Sequence, residues 1–232
     1  MADFRTEEEQ IELLKNWWKE SGVSTLAGVA IAVAGWLGWS GWQHAQITAV
    51  DNAAALYQPV SSIKEADASK ELDQLNEVAQ ALRSDYPNSM YAVFAALLAA
   101  KAAVDTDDVN AAYESLVWAR AKAEALDPTL DCRIALLLAR LQFTQSKFED
   151  ALATIVSVKD QGAFKAAFLE LKGDIHIAQG NGESALGAYS EAMAALEGTG
   201  GSERKQDLEL KLADLSPNKG NNGAQSTVKK GS

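Results

Sequence analysis

The chain has little cysteine, histidine, proline or positive charge, and each shortage narrows the possible functions. A single cysteine, Cys132, excludes an intramolecular disulfide. Two histidines, His44 and His176, are too few for a histidine-based metal site. Lys and Arg number 21 against 32 Asp and Glu, and the net charge of −11 argues against nucleic acid, whose phosphates attract basic surfaces. Only four prolines interrupt the 232 residues, which favours helices.

Motifs of the common catalytic and cofactor-binding sites are missing as well. The sequence has no Gly-rich phosphate loop, no metal-spaced cluster and no nucleophile elbow. The acidic runs 7–9 and 107–108 fit a solvated helix start and a solvated turn better than acid–base catalysis. Cys132 opens an apolar run and fits a small buried hydrophobic residue, and His176 fits a helix histidine. We expect no catalytic residue, no metal and no cofactor, and therefore no enzymatic activity.

Full charges are also absent from one long stretch near the N-terminus, between Glu20 and Asp51. Within it, residues 23–42 include only two serines and one threonine as polar residues. A helix rises about 1.5 Å per residue, so roughly 20 apolar residues span a hydrocarbon layer of about 30 Å. Five tryptophans flank or end the stretch, and tryptophan prefers the headgroup zone of a membrane: Trp17, Trp18, Trp36, Trp39 and Trp42. The pattern predicts a transmembrane anchor over residues 21–45.

Two other interpretations of this stretch stay open. The core helix of a soluble domain usually keeps a charged face, and this stretch has none. A cleaved signal peptide needs a short basic segment before an apolar run of about 7–15 residues. Residues 1–20 instead hold six acids and three bases, although small residues near Ala45 and Ala49 resemble a cleavage site. The retained anchor fits the sequence best.

Basic residues predict the orientation of the anchor. Arg5, Lys15 and Lys19 precede it, and no Lys or Arg follows it until Lys64. Because basic flanks stay in the cytoplasm, we predict a short cytoplasmic segment over residues 1–20, with the bulk of the chain across the membrane.

Small residues recur along the anchor at a spacing of four, at Ala30, Ala34 and Gly38. Such a strip lets another membrane helix approach closely, so it is a candidate docking face for a partner helix. The alternative, that this helix is simply rich in small residues, stays open.

Beyond the anchor the chain reads as a series of helices separated by short breaks. The breaks hold Asp, Asn, Gly or Pro, which end helices, and lie at 66–69, 85–89, 105–108, 126–131, 144–147, 160–162 and 179–182. No run shows sustained alternation of apolar and polar residues, so we expect no sheet.

Three of these segments align as a repeat. Ala112, Ala151 and Ala185 take the same place after a turn, and twelve residues before each lies another small residue: Ala100, Ala139 and Gly173. The pattern resembles the tetratricopeptide repeat (TPR), a helix pair that recurs at roughly 34 residues and whose small residues let the two helices cross closely. The step from Ala151 to Ala185 has that length, and the step from Ala112 to Ala151 is slightly longer. Chance similarity among alanine-rich helices is the alternative.

The predicted fold is therefore all-α: one N-terminal transmembrane helix followed by a TPR-like α-solenoid. The helical-repeat domain covers residues 46–216, with a further helix pair at 51–87 and a capping helix at 203–215. Residues 217–232 are polar and rich in Gly and Asn, and their composition predicts a disordered tail.

In TPR-like stacks the first helix of each pair lines the concave face. Counting from Ala100 and Ala139, the outward face of two first helices mixes apolar and cationic side chains, which suits an extended polypeptide. The predicted groove residues are Phe94, Leu97, Lys101, Val104, Arg133, Leu136, Arg140 and Phe143. Simple packing of Leu97 and Leu136 against neighbouring helices is the alternative.

Two main classes of function compete at this stage. One is a membrane-tethered module that holds other polypeptides in a helical groove. The other is a structural or enzymatic helical domain, such as a scaffold of another envelope complex or an enzyme with an unrecognised site. A signal-transducing sensor would need a cytoplasmic output domain, which twenty residues cannot supply. The missing catalytic motifs favour the interaction module.

The order of these features resembles the YfgM family of Gram-negative bacteria. The resemblance rests on residues 7–46, 54–58, 134–142 and 173–185, and covers nearly the whole chain up to about residue 215. It implies a single-pass protein of the cell inner membrane, with its N-terminus in the cytoplasm and its repeat domain in the periplasm. The implied partners are the SecYEG translocon, a periplasmic chaperone such as PpiD, newly exported polypeptides and the lipid bilayer. The implied function is to link exported proteins to periplasmic chaperones.

Overall fold

A computed structural model describes residues 7–61, 72–197 and 202–215 of the chain. These ranges are helical, apart from turns and short connections, and contain no strand, so the predicted all-α fold is confirmed. The helices are α1 (Glu7–Ser61), α2 (Leu72–Asp85), α3 (Met90–Asp105), α4 (Val109–Leu126), α5 (Pro128–Thr144), α6 (Phe148–Ser157), α7 (Lys165–Ala178), α8 (Gly182–Ala195) and α9 (Ser202–Leu215). A short 3-10 helix, Gly162–Phe164, precedes α7.

The chain divides into two compact units between Leu56 and Tyr57. The predicted anchor, residues 21–45, lies entirely within α1 in the first unit. Its large apolar side chains from Leu26 onward are exposed, among them Ile31 at 74% and Trp36 at 67%. The stretch from Ser24 onward is long and apolar enough to cross a membrane, and none of its most apolar part is buried in the protein. A core helix of a soluble domain would bury such side chains, so that interpretation does not fit.

The second unit holds three helix pairs, α3–α4, α5–α6 and α7–α8, joined by turns of identical construction. In each turn one residue has a left-handed backbone: Asp107 (φ 61°), Ser146 (φ 58°) and Gly180 (φ 77°). Three consecutive backbone N–H groups in each turn donate to carbonyls of the preceding helix. The residue before the left-handed one donates to the carbonyl four positions back, the left-handed residue to that three positions back, and the residue after it to that five positions back. This pattern satisfies the last carbonyls of the first helix and reverses the chain. Each left-handed residue lies five positions before the aligned alanine, which confirms the repeat register.

The small residues of the repeat lie where the helices of each pair meet. Ala100 and Ala112 share a buried cluster in the first pair, and Ala139 and Ala151 share one in the second. In the third pair Gly173 faces Tyr189, and a Cβ added to Gly173 would lie 2.9 Å from Cζ of that ring and closer still to two other ring carbons. Only glycine permits this approach, so the side chain missing from α7 makes room for the ring on α8.

Successive pairs pack onto one another through shared cores. Val93 of α3, Leu116 of α4 and Leu138 of α5 belong to one buried cluster. A second cluster joins α5, α6 and α7, with Phe168 of α7 completely buried at its centre. Each pair therefore contributes apolar side chains to its own core and to the next, as in repeat proteins whose stability comes from neighbouring units.

The final helix, α9, covers the end of the last pair, as the predicted capping helix at 203–215 should. Leu208 is completely buried and shares a cluster with Ala185 and Tyr189 of α8. Residues 51–87, predicted as a further pair, hold the end of α1 and all of α2. The predicted tail, residues 217–232, lies outside the described residues, as do the first six residues of the predicted cytoplasmic segment.

The packing of Gly173 predicts opposite results for two Gly→Ala substitutions. Gly173→Ala should lower the free energy of unfolding by about 1–3 kcal/mol, because the added methyl group overlaps the Tyr189 ring. Gly187→Ala, on the neighbouring helix α8 with nothing within 4 Å of its added Cβ, should raise it by about 0.5–1 kcal/mol. Urea unfolding of the full-length chain in detergent measures both changes. Equal effects of the two substitutions would contradict the close crossing.

Candidate functional site

The eight predicted groove residues do not all lie at the surface. Arg133, Arg140 and Val104 are exposed, whereas Leu136 is only 6% exposed and belongs to the cluster that joins α5, α6 and α7. Leu136 therefore packs between repeats, and we remove it from the surface. Leu97, at the equivalent place in the first pair, is partly buried against the core shared by α3, α4 and α5.

Leu137, not Leu136, is the apolar residue that α5 exposes between its two arginines. Leu137 is 37% exposed, and Arg133, Leu137 and Arg140 follow the helical spacing of four and three residues along one face. Sequence counting missed Leu137 because both leucines fit a helical period, and only the position of α7 decides which one is covered. The available signal was the place of Leu137, four residues after Arg133 and three before Arg140.

The same register places a matching set on α3. Phe94, Leu98 and Lys101 take the places in the first pair that Arg133, Leu137 and Arg140 take in the second, and all three are partly exposed. We name these six residues the first-helix stripe. Sequence counting also missed Leu98, for the reason given for Leu137.

Aromatic side chains adjoin the stripe on α3. The ring of Tyr57 lies 5.6 Å from that of Tyr91 and 6.3 Å from that of Phe94, measured between centroids. Burial raises the pKa of the Tyr57 phenol, so it stays protonated at physiological pH. A half-buried aromatic cluster of this kind offers a rigid apolar contact for a polypeptide side chain. Phe143, at the other end of α5, is partly buried and pairs with Phe148, 5.9 Å away.

The charges of the stripe oppose that of the chain as a whole. Neither Arg133 nor Arg140 has a hydrogen bond or ion pair to any other described residue, and both side chains are exposed in a chain with net charge −11. Such an exposed guanidinium can donate two parallel N–H groups to a carboxylate of a ligand, or donate to its backbone carbonyls.

The strip on α1 is open in the first unit. Ala30, Ala34 and Gly38 are exposed, and nothing lies within 4 Å of the position that a Cβ on Gly38 would take. Room for a second helix is therefore present at this face.

Cys132 and His176, the two residues that the sequence analysis considered for catalysis, are at least partly buried in the helical packing. The thiol of Cys132 donates to the backbone carbonyl of Asp160 at 3.1 Å. Burial raises the pKa of this thiol, and the nearby carboxylates of Asp131 and Asp160 raise it further, so the nucleophilic thiolate is disfavoured. His176 is partly buried on α7. Over the part of the chain that the structure describes, no three His, Cys, Asp or Glu side chains are grouped closely enough to hold a metal ion.

Comparison with known proteins gives consistent matches. A family model described as a tetratricopeptide repeat-like domain matches residues 15–217. An ancillary SecYEG translocon subunit of Haemophilus influenzae is 31% identical over 93% of this chain and 100% of its own length. Its counterpart in Aggregatibacter actinomycetemcomitans is 32% identical with the same coverage. Among solved structures, a Podosopora anserina kinesin light chain protein with nearly identical TPR-like repeats superposes with a TM-score of 0.54 at 15% identity, covering 72% of this chain and 83% of its own; this match shows the fold alone.

Proposed function

The chain belongs to the tetratricopeptide repeat-like family of ancillary SecYEG translocon subunits, and from this membership we propose that it is a membrane-anchored interaction subunit of the translocon. The first-helix stripe is the observation that carries the proposal. It combines two exposed guanidinium groups with leucine and aromatic side chains on a chain of net charge −11. No step of this role requires bond-making chemistry at the stripe, so the proposed function is not enzymatic.

The chemistry of the stripe favours a polypeptide ligand. Leu98 and Leu137 offer apolar contacts, while Arg133 and Arg140 can hold carboxylates or backbone carbonyls. Such a surface accepts many sequences because it recognises features that every extended chain carries. We propose that its ligands are newly exported polypeptides, a periplasmic chaperone such as PpiD, or both, and that it links the two.

The proposed location is the cell inner membrane, with α1 as a retained single-pass anchor. The tryptophans at both ends of the stretch and the exposure of its apolar side chains support retention in lipid. Arg5, Lys15 and Lys19 support a cytoplasmic N-terminus, because basic flanks stay on that side. The repeat domain then lies in the periplasm, where exported chains emerge.

The orientation predicts which part of the chain a protease can reach. Protease added to spheroplasts should digest the repeat domain beyond about residue 50 and leave residues 1–20 and the anchor protected, because the intact membrane shields them. Immunoblots with a tag at each terminus follow the two parts. A repeat domain that resists digestion until the inner membrane is broken would reverse the proposed orientation.

Reversal of the stripe charges predicts a loss of partners without a loss of fold. Arg133→Glu with Arg140→Glu should lower affinity for bound partners by about tenfold or more, since carboxylates then meet like charges. The measurement is recovery of the translocon and chaperones after crosslinking in native membranes. The unfolding midpoint should hardly move, because both side chains are exposed and without described partners.

Lys159→Glu with Lys165→Glu is the matched control. Both lysines are exposed, and their replacement changes the net charge equally. We expect this pair to keep partner recovery at the wild-type level. Equal losses of partner recovery in the two double variants would show that the effect comes from net charge alone. Full recovery in the arginine variant would show that the stripe does not bind the partners.

The strip on α1 is the proposed contact with a membrane helix of the translocon. Ala34→Leu with Gly38→Leu should keep membrane insertion, because leucine suits lipid, but should block close helix approach and reduce co-isolation of the translocon. Gly28→Leu with Ala32→Leu makes the same exchange about 120° around the helix and should leave co-isolation intact. Indistinguishable recovery from both variants would show that the strip has no docking role.

A further inference from the structure

The repeat register places two carboxylates on α7 where the earlier pairs have different chemistry. Glu170 takes the place in the last pair that Leu136 takes in the second, and Asp174 likewise takes the place of Arg140. At the first of these positions, Leu136 is buried against the next pair. In the last pair the same position is acidic, so its covering element must bring cations instead of apolar side chains alone.

Helix α9 brings these cations. Lys211 Nζ donates to Glu170 Oε1 at 2.9 Å and to Asp174 Oδ1 at 2.7 Å. Arg204, seven residues earlier on α9, reaches Glu170 Oε2 at 3.4 Å. Burial alone favours neutral Lys211, but its hydrogen bonds to the two carboxylates outweigh that effect and raise the pKa of the ammonium group. The pairing is therefore favourable although the side chains are partly covered.

Asp174 is held in place by a residue outside α9. The Tyr189 hydroxyl donates to Asp174 Oδ1 at 2.7 Å, and Tyr189 itself is only 3% exposed, beneath Gly173 of α7. Hydrogen bonding to a buried ring fixes the orientation of Asp174 before any cation arrives. Helices α7 and α8 thus form an acidic site in which Asp174 is already oriented, next to the apolar cluster that includes Leu208.

Helix α9 is attached to this site by few apolar side chains. Leu208 is its one fully buried residue among those described, Leu212 and Leu215 are partly buried, and Leu210 is 66% exposed. The rest of the contact is ion pairs with partly exposed side chains. Such pairs contribute little stability, and salt screens them.

We propose that α7 and α8 form a second binding site, which α9 occupies reversibly, and that this site accepts from another protein an amphipathic helix of the same chemistry. The incoming helix carries leucines along one face and two cations seven residues apart, matched to Glu170 and Asp174. This site is separate from the first-helix stripe and does not depend on the function proposed for it. The second helix binds only when α9 is released, because both occupy the same site.

A synthetic peptide with the sequence of residues 202–215 is the probe, tested against the full-length chain in detergent. In Lys211→Glu, repulsion from Glu170 and Asp174 should release α9 and leave the site free. That variant should bind the peptide at least about tenfold more tightly than the wild type, whose own α9 competes at a high effective concentration. Adding Asp174→Asn to it should weaken the binding about tenfold, since one charged partner is lost.

Lys205→Glu is the matched control on α9, because Lys205 makes no contact with Glu170 or Asp174. It should bind the peptide as weakly as the wild type. No binding by a Lys211→Glu chain that keeps its helical circular dichroism would overturn the proposal. Equal binding by all the variants would also overturn it, because the peptide would then bind elsewhere.

Amide hydrogen exchange of the unmodified chain tests reversibility even if Lys211→Glu does not fold. The amides of α9 should exchange at least about tenfold faster than those of α7, and faster again when salt rises from about 50 mM to about 500 mM. Rates equal to those of α7 at both salt concentrations would mean that α9 is a permanent part of the fold, and would overturn the proposal.

Discussion

The close crossing of paired helices at small residues is the constraint on which the rest of the repeat domain depends. Where Ala100, Ala139 and Gly173 let a first helix approach its partner, the orientation of that helix is fixed. The face left uncovered follows from this orientation, because the second helix of the pair and the next pair cover the others. A bulky residue at a crossing would therefore disturb the exposed surface as well as the core.

The sequence predicts the repeat but not the fine assignment of its faces. The register of Ala112, Ala151 and Ala185 is visible because a turn with one left-handed residue precedes each alanine by a fixed number of positions. The choice between Leu136 and Leu137 is not visible, because adjacent residues on a helix differ by about 100° and both fit an apolar face. Leu136 is the buried one because it packs in the cluster that includes α7. The position of α7 is set by tertiary packing, which the local sequence does not show.

The site on the last pair was beyond sequence analysis for a similar reason. A charged residue on a helix usually faces water, so Glu170 and Asp174 gave no signal by themselves. Their role as a binding site is inferred from the long-range ion pairs with Lys211 and from the hydrogen bond that Tyr189 donates to Asp174. The resulting domain is cationic where the stripe crosses α5 and acidic where Lys211 of α9 meets α7, so the two proposed surfaces are complementary to ligands of opposite charge.

Site-specific photocrosslinking in living cells tests the central claim, that the uncovered face of the first helices is where this family member holds polypeptides. A photoreactive residue at Leu137 should give crosslinks to other proteins at the membrane. The same residue at Val156, which is 79% exposed on the second helix α6, should give few or none. Crosslinks from Val156 alone, or equally from both positions, would contradict the account.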